Sequence, residues 1–344
     1  MVKKLKGKYR KMEQFDKKNS NNIKNKIITD YIRISITDKC NLQCKYCVPQ
    51  NNFKRHHHSE VLRDEEFIEI LTVLKEFGIT KARYTGGEPL VRKSITHLMN
   101  ETIKLGIETS ITTNALTLEK ELDIFKEIGV KRLNISLDTL DRDKFQEITG
   151  VDGLDRVISS IKKASEMGFK PLKINTVLMR GINHLEIDNF ISFAKENDLN
   201  IRFIEFMPGE GLYNSKEYYI SSEEILKTLD HETEMTHLET WGPAVNYRLK
   251  DSKVIISFIS PVSDHFCKSC SRIRLSSLGE LRLCLFGKSQ VNLRDYMRSK
   301  NYTRAGLKEV IENVISQKES FIREGGNDIT SNDLTPLKMS GIGG

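Results

Sequence analysis

The stretch TDKCNLQCKYC, residues 37–47, contains Cys40, Cys44 and Cys47 at the spacing C-x3-C-x2-C. A closed structural metal site uses four ligands, so three thiolates leave one coordination position open. A 4Fe-4S cluster bound by three thiolates keeps one iron free to bind a small molecule. Catalytic zinc also keeps an open position, but zinc seldom takes three cysteines from one loop at this spacing. The stretch therefore predicts an iron–sulfur cluster, with zinc as the alternative.

The composition is typical of a globular enzyme. The chain has 344 residues, of which 29% are charged and 38% hydrophobic, and its formal net charge is +7. Much of the positive excess lies in the first 26 residues, which lack apolar periodicity. We expect residues 1–27 to form a basic mobile arm, solvated rather than bound to nucleic acid. Because the sequence has neither a signal-peptide core nor a long apolar run, it predicts a cytoplasmic protein without a membrane partner.

Helical segments alternate with strand-like segments between about residues 30 and 210. A residue suited to positive φ follows five of the helical segments, as expected just beyond a helix. These positions are Gly78, Gly106, Gly129, Gly168 and Asn197-Asp198. The alternation predicts a parallel sheet with right-handed crossovers, and six such units are too few to close an eight-stranded barrel. We therefore expect an α/β fold: a partial (βα)6 barrel over residues 28–240, then a C-terminal α+β extension over residues 241–344.

Small, polar or charged residues recur where the predicted strands end. Because the carboxyl ends of parallel strands meet at one edge of a sheet, we expect these residues to share a site. They are the first cysteine group after strand one, Gly86 to Pro89 after strand two, Thr112 to Asn114 at strand three, Ser136 and Asp138 at strand four, Lys173 and Asn175 in strand five, and Met207-Pro208 after strand six.

The other three cysteines form a second group, Cys267, Cys270 and Cys284. In a reducing compartment two isolated triplets indicate metal sites rather than disulfides. The segments RIRLS and LRLCLF flank SLGE, a pattern that predicts a hairpin bringing Cys284 back toward the other two. A second open cluster is one interpretation; zinc completed by Asp264 or His265 is the other.

Two arginines follow this second group directly. Arg272 and Arg274 are two residues apart on a predicted strand, so their side chains lie on the same face. Paired guanidinium groups suit phosphate oxygens, although a solvated edge strand can carry the same pattern. Next to an open iron, the pair predicts a binding site for a phosphorylated substrate.

The first cysteine spacing, with Tyr46 before the last cysteine, resembles the radical S-adenosylmethionine (radical-SAM) superfamily, as does GGEP some forty residues later. Both cysteine groups, SRIRL and the terminal SGIGG together resemble the GTP 3′,8-cyclase family within that superfamily. The resemblance extends from about Tyr31 to the last residue. One departure is Ala115, which stands where the family commonly has a glycine after TTN.

The resemblance implies two 4Fe-4S clusters, S-adenosylmethionine as a cofactor and a role for each matched residue. The first cysteine group holds the cluster that cleaves S-adenosylmethionine, and the second holds a cluster whose open iron meets the guanine of GTP. The S-adenosylmethionine site would be lined by Tyr46, Gly87, Ser136 and Met207. The GTP site would be lined by Arg33, Arg83, Thr112, Lys173, Arg272 and Arg274, and Gly343 and Gly344 would reach into the active site and assist catalysis.

The implied reaction is the first step of molybdenum cofactor biosynthesis. A 5′-deoxyadenosyl radical removes the 3′ hydrogen of the GTP ribose, and the ribosyl radical adds to carbon 8 of guanine. Reduction then gives 3′,8-cyclo-7,8-dihydro-GTP. The partners implied are GTP, an electron donor and the next enzyme of the pathway, with a homodimer as a further expectation.

Three other functions account for part of the sequence pattern. A peptide or sulfatase maturase of the same superfamily usually carries more cysteines in its extension. A zinc-bearing RNA-modifying protein would use the basic arm, and its RNA binding would depend on salt. A simple electron carrier would not need polar residues at the ends of six strands.

Overall fold

The computed structural model describes residues 29–47, 56–207, 216–229, 235–238, 242–250, 252–264, 266, 270–285, 287 and 289–323. Its strands are β1 (Tyr31–Ser35), β2 (Lys81–Thr85), β3 (Glu108–Thr113), β4 (Arg132–Ser136), β5 (Leu172–Leu178), β6 (Asn200–Glu205), β7 (Met235–Leu238), β8 (Ala244–Leu249), β9 (Ile255–Ile259), β10 (Arg272–Leu275), β11 (Glu280–Arg282) and β12 (Val291–Asn292).

The helices of the described chain lie mainly between these strands. They are α1 (Asp64–Glu76), α2 (Ile95–Lys104), α3 (Leu122–Glu127), α4 (Arg142–Thr149), α5 (Leu154–Glu166), α6 (Ile187–Glu196), α7 (Ser222–Leu229), α8 (Leu293–Met297) and α9 (Arg304–Arg323). Helix α1 illustrates why they form. Its apolar residues recur at helical spacing and are buried, and three acidic residues occupy its first turn, where the helix dipole favours negative charge. None of the described helices is long and apolar enough to cross a membrane.

Strands β1 to β6 lie side by side in chain order and are all parallel. This confirms the predicted succession of six strand–helix units. The four glycines expected after helices all have positive φ, between 73° and 93°. In the fifth unit Asp198, rather than Asn197, takes that conformation, with φ of 47°. The side chain of Asn197 instead donates to the carbonyl oxygen of Phe193 at 2.8 Å.

The segment after β6 extends both edges of the same sheet. Strand β9 pairs parallel with β6 and continues through β8 to β7, while β10 pairs parallel with β1 and continues through β11 to β12. Strands β10 and β11 are antiparallel, which confirms the predicted hairpin. The pairing of β7 with β8 crosses residue 240, the predicted boundary between barrel and extension. That boundary stays a prediction.

The two faces of the sheet differ sharply in polarity. In β1, Ile32 and Ile34 are fully buried in the hydrophobic core. The alternate residue Arg33 is in register with Arg83 on one side and with Arg274 on the other. Since side chains alternate along a strand, these arginines project from one face of three neighbouring strands. The sheet thus concentrates positive charge opposite its core.

A buried carboxylate connects α1 to the segment after α8. Glu66 accepts hydrogen bonds from Arg298 Nε at 2.7 Å and Nη2 at 2.8 Å, and from the backbone nitrogen of Arg63 at 2.7 Å. Arg298 also donates to the carbonyl oxygens of Ser59 and Val61. The C-terminal part of the chain therefore fixes the segment that leads into α1.

Replacement of Glu66 by glutamine should destabilise the protein in a pH-dependent way. Burial opposes ionisation, but hydrogen bonds from Arg298 and Arg63 outweigh it and lower the pKa of Glu66 to about 2. A lowered pKa stabilises the fold above the unfolded-state value and is lost as pH falls through the folded-state value. We expect Glu66→Gln to lower the free energy of unfolding at neutral pH, by on the order of 2 kcal/mol. Urea unfolding measures it.

The difference in the free energy of unfolding between Glu66→Gln and wild type should narrow as pH falls from about 4.5 toward 2. Glu76→Gln is the matched control, because that carboxylate forms exposed ion pairs with Arg304 and Lys308. Its replacement should lower the free energy of unfolding by less. Equal destabilisation by the two substitutions would contradict the account.

Candidate functional site

One cavity of about 730 Å³ gathers the described residues singled out from the sequence. The residues lining it include Arg33, Cys40, Cys44, Tyr46, Cys47, Arg83, Gly87, Thr112, Ser136, Lys173, Met207, Cys270, Arg272, Arg274 and Cys284. Cys267, Gly343 and Gly344 lie outside the described residues. The predicted convergence of strand ends on one site is therefore found for the described strand-end residues other than Pro89.

The first cysteine group occupies the loop after β1. All three cysteines are free thiols that face the cavity. The Sγ atom of Cys40 accepts from the backbone nitrogen of Leu42 at 3.4 Å and from Asn114 Nδ2 at 3.8 Å. Burial raises the pKa of Cys40 and Cys44, and that of Cys47 to about 12. Three partly buried thiols on one loop become thiolates readily only when bound cations offset their charge, so the chemistry of this donor set fits an iron–sulfur cluster.

The GGEP turn after β2 packs directly on this cysteine loop. The backbone nitrogen of Gly87 donates to the carbonyl oxygen of Thr37 at 2.7 Å. A Cβ atom on Gly87 would lie 2.3 Å from the carbonyl oxygen of Lys39, so only glycine fits. The glycine therefore lets the turn pack directly against the backbone of the cysteine loop at the edge of the cavity.

Glu88 of the same motif braces the turn. Its buried carboxylate accepts from Thr113 Oγ1 at 2.7 Å and from the backbone nitrogens of Asn114 and Leu90 at 2.7 and 3.0 Å. Burial outweighs these bonds and raises its pKa to about 7. These contacts link the ends of β2 and β3.

Tyr46 is held by Asp138, which the sequence placed at the site without a role of its own. Its hydroxyl donates to Asp138 Oδ2 at 2.7 Å, and Asp138 Oδ1 accepts from the backbone nitrogen of Val177 at 2.9 Å. Burial raises the pKa of Asp138 to about 6. Asp138 follows β4 and lines the cavity near Ser136. Its position at the end of a strand is the signal that placed it there in the sequence.

Nine lysine and arginine residues of the described chain line the cavity. We call six of them the cation cluster: Arg33, Arg83, Lys173, Arg202, Arg272 and Arg274. Arg202 was missed from the sequence, although it lies within an apolar strand, as Arg33 and Lys173 do. Asn175 on β5 is in register with Arg202 on β6, which places Arg202 on the same face as Lys173.

Burial and mutual repulsion disfavour the charged forms of these side chains. Burial, followed by neighbouring arginines, lowers the pKa of Lys173 to about 8 and those of Arg202 and Arg274 to about 10. The pKa of Arg33 is lowered by burial and by Arg274. Like charges held together in a partly desolvated site favour binding of a multiply charged anion.

The second cysteine group meets the cation cluster. Cys270 and Cys284 face the cavity, and Arg272 Nε donates to the Sγ atom of Cys270 at 3.2 Å. Although burial opposes thiolate formation, Arg272 and Lys318 outweigh it and lower the pKa of Cys270. Of the two residues considered as additional zinc ligands, Asp264 is exposed and is not among the cavity-lining residues. His265 lies outside the described residues.

Ala115, the departure from the family pattern, has φ of 61°. An L-residue other than glycine rarely adopts this conformation, which explains why a glycine is common at this turn. The alanine is nevertheless fully buried, and its backbone nitrogen donates to Thr113 Oγ1 at 3.0 Å. The turn that carries Asn114 is thus retained.

Two family descriptions match the chain: Radical SAM superfamily over residues 34–194 and Molybdenum Cofactor Synthesis C over residues 199–322. A curated protein from Clostridium botulinum named GTP 3′,8-cyclase is 41% identical over 302 residues, which are 85% of this chain and 94% of the relative. Proteins of the same name from Listeria welshimeri and Petrotoga mobilis are each 39% identical, covering 92% of this chain and 97% of their own length.

The solved structure of Streptococcus suis SuiB bound to S-adenosylmethionine is also similar. Its TM-score is 0.62 at 18% identity, with 90% of this chain and 71% of SuiB covered. At that identity the likeness shows the fold alone, which is the α/β fold of radical-SAM proteins. The resemblance inferred from the cysteine groups, GGEP and SRIRL is confirmed by the relatives. With about 40% identity over at least 94% of their length, the chain belongs to the GTP 3′,8-cyclase family of radical-SAM enzymes.

Proposed function

We propose that the chain converts GTP to 3′,8-cyclo-7,8-dihydro-GTP, the first step of molybdenum cofactor biosynthesis. The observation that carries the proposal is one cavity lined both by cysteines of two separate groups and by the cation cluster. Cysteines without the cations would suit many iron–sulfur proteins. The cations add a requirement for a polyanionic substrate, which GTP meets.

Two 4Fe-4S clusters and S-adenosylmethionine are the cofactors. Cys40, Cys44 and Cys47 would hold the first cluster, and the second cysteine group the other. Reductive cleavage of S-adenosylmethionine at the first cluster supplies a radical able to remove hydrogen from an unactivated carbon. Contacts to S-adenosylmethionine are assigned to Tyr46, Gly87, Ser136 and Met207, all of which line the cavity.

The cation cluster would bind the triphosphate of GTP. Arginine forks match phosphate oxygens, and Lys173 adds a single point charge. The Oγ1 atom of Thr112 is buried and has no hydrogen-bond partner among the described residues. An unsatisfied buried hydroxyl costs free energy, so it is well suited to a bond with substrate. These contacts would fix the triphosphate against the face of the sheet that carries the cation cluster and direct the nucleoside toward the cysteines.

The protein's contribution to the reaction is then mainly positional. Loss of the hydrogen at carbon 3′ leaves a carbon-centred radical on the ribose. This radical must react with carbon 8 of the same guanine before it reacts with water or with protein groups. One electron and one proton complete the dihydro product. Anchoring the nucleotide at both ends holds the two carbons together. Gly343 and Gly344, implied to assist catalysis, belong to the proposal as well.

Several finer features also belong to the proposal. They are the curvature of the sheet into a partial barrel, the C-terminal extension that carries the second cluster, and the division at residues 27 and 240. An electron donor, the next enzyme of the pathway, a homodimer and a cytoplasmic location stay predictions.

Isotope transfer tests the proposed reaction. The protein is reconstituted anaerobically with iron and sulfide, then given S-adenosylmethionine, dithionite and GTP deuterated at carbon 3′. We expect deuterium in the 5′-deoxyadenosine, because the abstracted atom is the 3′ hydrogen, and mass spectrometry detects it. Cys44→Ala should abolish both cleavage and transfer. Cleavage without transfer would rule out abstraction from carbon 3′, and absence of cleavage by a verified cluster would contradict the radical route.

Lys173 should make GTP binding dependent on pH. Its pKa of about 8 in the free protein implies loss of its charge as pH rises through that value. A bound triphosphate favours the charged form, so affinity should decline above about pH 8. Lys173→Met should weaken binding about 10-fold near pH 7 and remove that decline. Equilibrium dialysis without S-adenosylmethionine measures the GTP affinity and its dependence on pH.

Lys170→Met is the matched control. Lys170 is exposed and pairs with Asp198, so its removal should leave GTP affinity and its pH profile as in wild type. A wild-type affinity that is unchanged across this pH range, or a Lys173→Met profile that still declines, would contradict the assignment.

A further inference from the structure

A buried lysine of α9 is not used by the proposed reaction. Lys318 is only 1% exposed, lines the cavity and donates from Nζ to the carbonyl oxygen of Leu283 at 2.8 Å. Lysine is seldom fully buried, because transfer of an ammonium group out of water is costly unless nearby groups compensate. The position of Lys318 therefore requires a source of negative charge.

The second cysteine group provides that charge. Leu283, which accepts the hydrogen bond, directly precedes Cys284. Lys318 also lies close enough to Cys270 to interact electrostatically with its sulfur. Arg272 reaches the same sulfur from β10, at 3.2 Å. Two cations from different elements thus approach the second group.

The first cysteine group has the opposite surroundings. The charged neighbours that act on Cys40 and Cys44 include the carboxylates of Glu88 and Asp138. Nearby positive charge stabilises the reduced, more negative form of an iron–sulfur cluster, and nearby negative charge opposes it. The chain therefore places its two cysteine groups in contrasting electrostatic environments.

We propose that Lys318 is a positioning residue that offsets the negative charge of the second cluster's sulfur ligands and raises the reduction potential of that cluster. This inference rests on the proposed function, since it requires the second cluster. Reduction adds one electron, supplied by dithionite in the test below, and the ammonium group favours it by Coulomb attraction. Its hydrogen bond to Leu283 fixes it beside Cys284.

The test is the midpoint potential of the second cluster in the full chain, measured by anaerobic titration monitored by electron paramagnetic resonance. Lys318→Gln keeps a donor for the Leu283 carbonyl but removes the charge, so its potential should be more negative than that of wild type. Lys318→Met should behave likewise, and Lys318→Arg should retain the wild-type value. Lys308→Met is the matched control on the same helix, ten residues earlier and about 15 Å away along the axis.

Two further measurements separate the possible failures. Iron content of the wild type shows whether two clusters are present, and one cluster alone would overturn both the proposed function and this inference. Repeating the titration with Cys40, Cys44 and Cys47 replaced by alanine assigns the potential to the second cluster. With two clusters present, an unchanged potential in Lys318→Gln would overturn the role of Lys318 alone. Loss of second-cluster iron in Lys318→Gln and Lys318→Met, with retention in Lys318→Arg, would support the role of the positive charge at this position.

Discussion

Repulsion among cations on one face of a parallel sheet is the constraint around which this molecule is built. Arg33, Arg83 and Arg274 stand in register on three neighbouring strands, and Lys173 and Arg202 continue the same face. Such an array destabilises the empty protein. The opposite face compensates, because it buries a continuous apolar core that includes Ile32, Ile34 and Ile273. The fold thereby holds in place a charge density that only a polyanion satisfies.

The two cysteine groups lie on either side of this array of cations. One follows β1 and is packed against the glycine turn after β2. Of the other, Cys270 precedes β10, which pairs with β1 on its other side, and Cys284 follows β11. A nucleotide anchored by its phosphates in the middle of the sheet is then within the same cavity as both groups. Pairing of β10 with β1 is what brings the second group, more than two hundred residues later in the chain, to the first.

Local patterns in the sequence predicted much of this. Glycines after helices identified the strand–helix units, because positive φ is a local requirement, and cysteine spacing predicted two groups of metal ligands. The resemblance implied Arg33 and Lys173, which are cations within apolar strands, and that same local feature would have found Arg202. Lys318 could not be found in this way, since it lies on a helix where lysine is ordinary. The placement of β7 to β12 on both edges of one sheet could not be predicted either, because it depends on pairings between distant segments.

The central claim is that the cation cluster recognises the triphosphate, and the most direct test compares GTP with guanosine. Equilibrium dialysis of the reconstituted protein, without S-adenosylmethionine, would measure both affinities in wild type, in Arg274→Met and in Arg180→Met, whose exposed arginine pairs with Glu224. We predict much tighter binding of GTP than of guanosine in wild type. Arg274→Met should weaken GTP binding by about 10- to 100-fold, the value of one to two charge-assisted hydrogen bonds, and leave guanosine binding and the Arg180→Met control unchanged. Equal affinity for GTP and guanosine, or equal loss for both in Arg274→Met, would contradict the account.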